Sequence, residues 1–89
     1  MTVCKRVYYS GQVQGVGFRY TAQRLAANFP VAGYVRNLPD GRVELVAEGP
    51  PEQVEGFLAA VARRMGPYID QSAVSDEPAA GYKGFGIRH

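Results

Sequence analysis

Hydrophobic and polar positions alternate along the chain in short blocks joined by glycine and proline. Val3 to Ser10 holds the β-branched and aromatic residues Val3, Val7, Tyr8 and Tyr9, and reads as a strand. It runs into Gly11-Gln12-Val13-Gln14-Gly15-Val16-Gly17, whose glycines break regular structure. From Phe18 to Phe29 the apolar residues Phe18, Ala22, Leu25, Ala26 and Phe29 fall on one helical face. Pro30 cannot continue that helix and disfavours helical geometry in the residue before it. Val31 to Leu38 predicts a second strand, and Pro39-Asp40-Gly41 supplies a turn. In Arg42 to Glu48, the residues Val43, Leu45 and Ala47 face one way and Arg42, Glu44, Val46 and Glu48 the other. That is the pattern of a half-buried strand returning as a hairpin.

Gly49-Pro50-Pro51 opens a second helix, followed at helical spacing by Val54, Phe57, Leu58, Val61 and Met65. Glu52 and Glu55 near its start and Arg63 and Arg64 near its end suit the helix dipole. Gly66-Pro67 ends it. Tyr68 to Ser75 is a weaker strand, Glu77 to Gly81 a loop, and Tyr82 to Arg88 a last short strand diluted by Gly84 and Gly86. The order is β-α-β-β-α-β plus a short extra C-terminal strand, an α+β arrangement of the ferredoxin-like kind. Both helices are expected on one face of a mainly antiparallel sheet, where their apolar stripes are buried. An architecture of this kind hosts many unrelated functions and names none.

Composition narrows the field. A chain of 89 residues is expected to be one domain, residues 1–89, complete in itself. One cysteine cannot form an internal disulfide, and one histidine at the far end makes a zinc site improbable, so a reducing cytoplasm and no metal are expected. Of ten basic residues eight are arginine, and they are scattered; a net charge of +2 without a basic stripe argues against nucleic acid as a partner. No apolar run approaches a membrane span or signal peptide, so no membrane partner is expected, and the chain reads as a soluble monomer. Cys4 reads as a buried structural thiol, His89 as a mobile terminal residue, and Arg24 and Arg36 as solvated surface. Tyr8, Tyr9, Phe18, Phe29 and Phe57 read as core.

The glycine segment is the candidate for chemistry. Glycines let successive N–H groups turn inward, and the helix start adds unpaired N–H groups and a positive dipole end. Together they form a nest for a phosphate-sized anion, over which Arg19 can close as a charged fork. A P-loop is excluded because the segment has no lysine, and a dinucleotide fingerprint because Tyr20 stands where glycine is required. Spacing alone leaves two readings level: a site for one phosphoryl group, or a tight turn beside a surface arginine.

Gly11-Gln12-Val13-Gln14-Gly15-Val16-Gly17-Phe18-Arg19 closely resembles the first signature of the acylphosphatase family, Gly-x-Val-Gln-Gly-Val-x-Phe-Arg. Gly33-Tyr34-Val35-Arg36-Asn37, with Gly41, Val43 and Gly49 at the family's spacing, resembles the second. Weaker similarity reaches Gly84-Phe85-Gly86-Ile87-Arg88, so the resemblance spans nearly the whole chain. Tyr9 departs from the usual aliphatic residue, and Tyr68 to Tyr82 follows the family only loosely, which leaves the register of the last strands open. The resemblance implies hydrolysis of acyl phosphates to carboxylate and inorganic phosphate, with no metal, no cofactor and no covalent intermediate. It assigns the catalytic roles to Arg19 and Asn37, and phosphate binding to the backbone of Gln14, Gly15, Val16, Gly17 and Phe18 together with Arg19. The chemistry agrees: an acyl phosphate has a good leaving group, so holding the phosphoryl oxygens and placing a water in line is what remains. Asn37 offers an acceptor and a donor that can orient water. Without the resemblance, Asn37 reads as a turn-entry residue.

Two other readings compete. Lys83-Gly84-Phe85-Gly86-Ile87 resembles the start of an RNA-binding RNP1 strand, but on the terminal strand rather than the third of four. The second is a catalytically silent module, or a fragment of a larger maturation enzyme that uses carbamoyl phosphate; this chain lacks the cysteine-rich zinc segments of such enzymes.

Overall fold

The computed structural model describes residues 1–89. The β-branched and aromatic run at the start forms β1 (Val3–Gly11), and the apolar stripe after the glycine segment forms α1 (Phe18–Ala26). β2 (Ala32–Asn37) and β3 (Val43–Gly49) make the hairpin around the Pro39-Asp40-Gly41 turn. α2 (Pro51–Met65) follows, then a 3₁₀ turn over Gly66–Tyr68, β4 (Ile69–Glu77) and β5 (Phe85–Arg88). The five strands lie in the order β4-β1-β3-β2-β5. Every pairing is antiparallel except β2 with β5. The fold is therefore α+β and ferredoxin-like, with both helices on one face and β5 added beyond β2.

The core lies between helices and sheet. Val7 and Tyr9 of β1, Val35 of β2, and Val43, Leu45 and Ala47 of β3 meet Phe18, Ala22 and Ala26 of α1 and Val54, Phe57, Val61 and Met65 of α2. Phe57 is fully enclosed and sets its ring edge against Phe85, which binds α2 to the added strand. Burying one such ring is worth roughly 1.5–3 kcal/mol. Gly33 lets β2 run close to β3: its φ is +141°, and a Cβ there would stand 1.9 Å from the Val46 carbonyl oxygen.

The elements differ from the sequence pattern in places with physical causes. α1 ends at Ala26 instead of Phe29, because the N–H groups of Ala27, Asn28 and Phe29 reach back only three residues as the chain tightens ahead of Pro30. β4 begins one residue after Tyr68 and runs two past Ser75. It is an edge strand exposed along most of its length, so it has no buried face to mark in its sequence. β5 spans only Phe85–Arg88; Tyr82 instead packs edge-on to Tyr34 on the outer face of the sheet.

The reading of β3 as half-buried is corrected: its second face is buried too, with Glu44 at 2% and Glu48 at 7% exposure. Glu44 accepts from Arg6 Nη1 and Arg36 Nε at 2.6 Å each, and from Tyr34 Oη at 3.1 Å. Burial alone would raise its carboxyl, but Arg36, Arg6 and Tyr34 outweigh it and hold the pKa below the usual value. Arg36 is thus an ion-pair partner rather than free surface. Glu48 accepts from three successive backbone N–H groups, Ala80, Gly81 and Tyr82, at 2.6–3.3 Å. This carboxylate straps the loop before β5 across the outer face. Cys4 is buried there beside Tyr34 and Val46, and burial, with Glu48 nearby, pushes its thiol up. The terminal residue His89 makes the contact described next.

Candidate functional site

Residues 12–17 leave β1 and enter α1 through glycines in the left-handed region, Gly15 at φ +78° and Gly17 at +79°. Gly17 stands at the N-cap, where no side chain caps the helix, and its carbonyl accepts the first helical bond from Thr21 at 2.9 Å. The amide N–H groups from Gly15 to Tyr20 therefore donate to nothing within the chain. A serine or aspartate cap would have used one of them. Phe18, 1% exposed and 4.9 Å from the Tyr9 ring, pins the helix start to β1. The donors are thus fixed by a buried aromatic pair directly beneath them.

Strand alternation brings the other groups to the same end of the sheet. Asn37 lies two residues past the buried Val35 and shares its face, towards α1. Ile87 packs on the same core, which puts His89 on that face as well. Arg88 pairs with Arg36, so His89 comes beside Asn37 across the parallel β2–β5 ladder. Arg19, in the first turn of α1, approaches from above; its Nη1 is 3.3 Å from His89 Nδ1. No carboxylate forms an ion pair with Arg19. The Asn37 side-chain amide is also free of partners in the chain.

These groups enclose a cavity of about 200 Å³. Of the residues expected at the site, Gly15, Gly17, Phe18, Arg19 and Asn37 line it together. Gln14 and Val16 do not. The Gln14 amide donates to the Leu38 carbonyl at 2.8 Å and the Arg42 carbonyl at 3.0 Å, which ties the glycine loop to the hairpin that carries Asn37. Val16 turns its side chain to the core. The structure adds Val13, Tyr20, Ile87 and His89 to the walls. His89 was missed because its place depends on the β5 register, which the loosely patterned final third of the chain does not reveal.

The cavity offers converging backbone donors at a helix start, one unneutralised guanidinium and one neutral amide. Such a set holds a tetrahedral oxyanion of phosphate size and places a small molecule beside it.

Comparison with known proteins gives a family for this arrangement. The family model described as Acylphosphatase matches residues 5–87. The chain is 43% identical to an acylphosphatase of Methanospirillum hungatei, with 89% of each chain covered. Its structure is similar to the crystal structure of acylphosphatase from Bacillus subtilis, at a TM-score of 0.88 and 35% identity over 100% of both chains. It is also similar, at a TM-score of 0.81 and 29% identity, to 12% of the chain of T. kodakarensis HypF.

Proposed function

The chain belongs to the acylphosphatase family and is a hydrolase acting on acyl phosphates; from that premise we propose that Arg19 and Asn37 are its catalytic residues and the loop backbone its phosphate cradle. The amides of Gly15 to Phe18 hold the non-bridging phosphoryl oxygens, and Arg19 balances their charge. The observation that carries this assignment is the convergence on one cavity of unpaired amides, a guanidinium with no carboxylate partner and the free Asn37 amide.

Asn37 orients a water through its side-chain oxygen. The water oxygen attacks phosphorus in line with the bond to the acyl oxygen. That P–O bond breaks, its electron pair stays on the leaving carboxylate, and the water proton passes to a phosphoryl oxygen of the substrate. A neutral amide is too weak a base to keep that proton. Because a carboxylate leaves readily, no general acid is needed. The products are a carboxylate and inorganic phosphate. The donors are fixed before substrate arrives, which is where this kind of site gains its rate.

The test is hydrolysis of benzoyl phosphate with EDTA present, for the wild type, Arg19→Ala and Asn37→Ala. Arg19→Ala is expected to lose about 10³-fold or more in kcat, and Asn37→Ala about 10²–10³-fold, both with unchanged folding. A rate sustained in either variant overturns that residue's role, and a rate abolished by EDTA in the wild type overturns the metal-free reading. We further read residues 1–89 as one domain, working as a monomer in the cytoplasm. Exposed large apolar side chains are few and scattered, at Met1, Tyr20, Tyr68 and Val74, which supports a monomer; light scattering of the purified protein tests it.

A further inference from the structure

A second cavity, of about 180 Å³, meets the first at Tyr20, which lines both. Its other walls are Thr21, Arg24, Leu25 and Asn28 of α1 and the turn after it, and Arg64 of α2. Arg24 and Arg64 are exposed, and the ion pairs of the molecule engage other cations: Lys5, Arg6, Arg36 and Arg42. No carboxylate lines this groove, so two guanidinium groups and the Asn28 amide face it without a neutralising partner.

The geometry of displacement says which way the acyl group lies. Water and leaving group stand on opposite sides of phosphorus. With the water at Asn37 on the hairpin, the acyl group points away from the hairpin. The exposed wall contributed by α1 is Tyr20, and beyond it runs the groove. Tyr20 is 66% exposed, so its ring is open to a group lying between the two cavities.

We propose that this groove is the acyl subsite, and that it selects acyl phosphates whose acyl chain ends in a carboxylate. The acyl body crosses the Tyr20 ring, and Arg24 and Arg64 take the distal carboxylate. This rests on the assignment of Arg19 and Asn37 above. The two arginines touch only the far end of the substrate, so they act on selection and not on the chemical step.

Benzoyl phosphate and 4-carboxybenzoyl phosphate form a matched pair that differs only in a carboxylate at the distal ring position. Wild type is expected to favour the carboxylated substrate by about three- to tenfold in kcat/KM, the range of two exposed charge pairs. The double variant Arg24→Gln/Arg64→Gln is expected to bring the ratio to about one, with kcat/KM for benzoyl phosphate within about twofold of wild type. Glutamine preserves helix propensity, so folding is retained, and a thermal melt checks it. The double variant Arg63→Gln/Lys83→Gln removes the same charge from exposed positions outside the groove and separates a subsite from general steering, because steering by net charge would lower the preference for the carboxylated substrate equally in both double variants. A ratio that Arg24→Gln/Arg64→Gln leaves unchanged, an equal fall for both substrates, or an equal loss of preference in both double variants overturns the subsite. An active Arg19→Ala protein overturns the underlying assignment instead, and is read separately on benzoyl phosphate.

Discussion

Replacing Glu44 by glutamine isolates the charge network on the outer face of the sheet without changing its volume. The side chain is 3% exposed and holds two guanidinium groups at 2.6 Å, those of Arg6 and Arg36. A hydrogen bond to a charged group contributes about 1.5–3 kcal/mol, and breaking a buried pair costs about 3–5 kcal/mol when the partner is stranded. Here neither partner is stranded. Arg6 retains Glu77, and the arginine side chains are 26% and 42% exposed, so both reach water. Glutamine is also easier to bury than a carboxylate. The expected net loss is therefore about 2–3 kcal/mol at neutral pH. For a domain of this size that lowers the melting temperature by roughly 10–20 °C.

The pH dependence fixes the sign. The Glu44 pKa is held below its unfolded value, so its stabilising contribution is complete above the ordinary carboxylate range and is lost as pH falls through the folded pKa. Urea or thermal unfolding of both proteins from pH 7 downward should show a gap that is constant at neutral pH and closes below about pH 4. A variant within a degree or two of wild type at pH 7 would refute the claim that the ion pairs outweigh burial. So would a gap that persists unchanged to pH 2.

Gln14→Ala removes both hydrogen bonds between the glycine loop and the hairpin. It is expected to lower kcat/KM for benzoyl phosphate about tenfold or more, since loop donors and Asn37 lose their mutual spacing, while stability falls by only about 1 kcal/mol. Steady-state kinetics beside a urea titration checks the split, and full activity would show that the loop holds its place unaided. Gly33→Ala should destabilise by about 3–5 kcal/mol, combining backbone strain with a Cβ driven into the Val46 carbonyl. A circular-dichroism melt near that of wild type would refute the close approach.

Legibility in the sequence followed the number of buried faces. α2 shows its stripe from Val54 to Met65 because one face packs and the other is wet, and its boundaries are plain in the chain. The hairpin was equally plain from the alternation of Val43, Leu45 and Ala47 and the turn between the strands. β3 misled on its second face, because Glu44 and Glu48 look like solvent-facing residues until Arg6, Arg36 and the Ala80–Tyr82 amides are placed against them. Those partners lie far away in sequence, and no local pattern encodes them. At the site, the glycines, Arg19 and Asn37 were visible as motifs, whereas His89 was not. Its position follows only from β5 pairing parallel to β2, one residue in register beyond Arg36 and Arg88.

β2 explains why an outer-face charge network and the distant loop proposed to hold phosphate belong to one design. Its residues alternate between the two: Tyr34 and Arg36 point to the Glu44 cluster, Val35 to the core and Asn37 to the cavity. Arg36 and Asn37 are adjacent, so the ion pair with Glu44 fixes the backbone one residue from the proposed water-orienting amide. On the other side of β2, the Glu48 strap positions the loop that delivers β5, and β5 delivers His89 to Arg19. Buried carboxylates are costly to desolvate, and a second hydrophobic layer would stabilise the fold at least as well. An 89-residue chain has no second layer to spend on this face. The two glutamates instead give that face directional bonds, which set strand positions that apolar packing would leave free to slide. In consequence Glu44→Gln should reduce kcat by more than its stability loss accounts for at temperatures where the variant is fully folded, because Asn37 loses its fixed neighbour. A kcat equal to wild type in the folded variant would confine the network to stability alone.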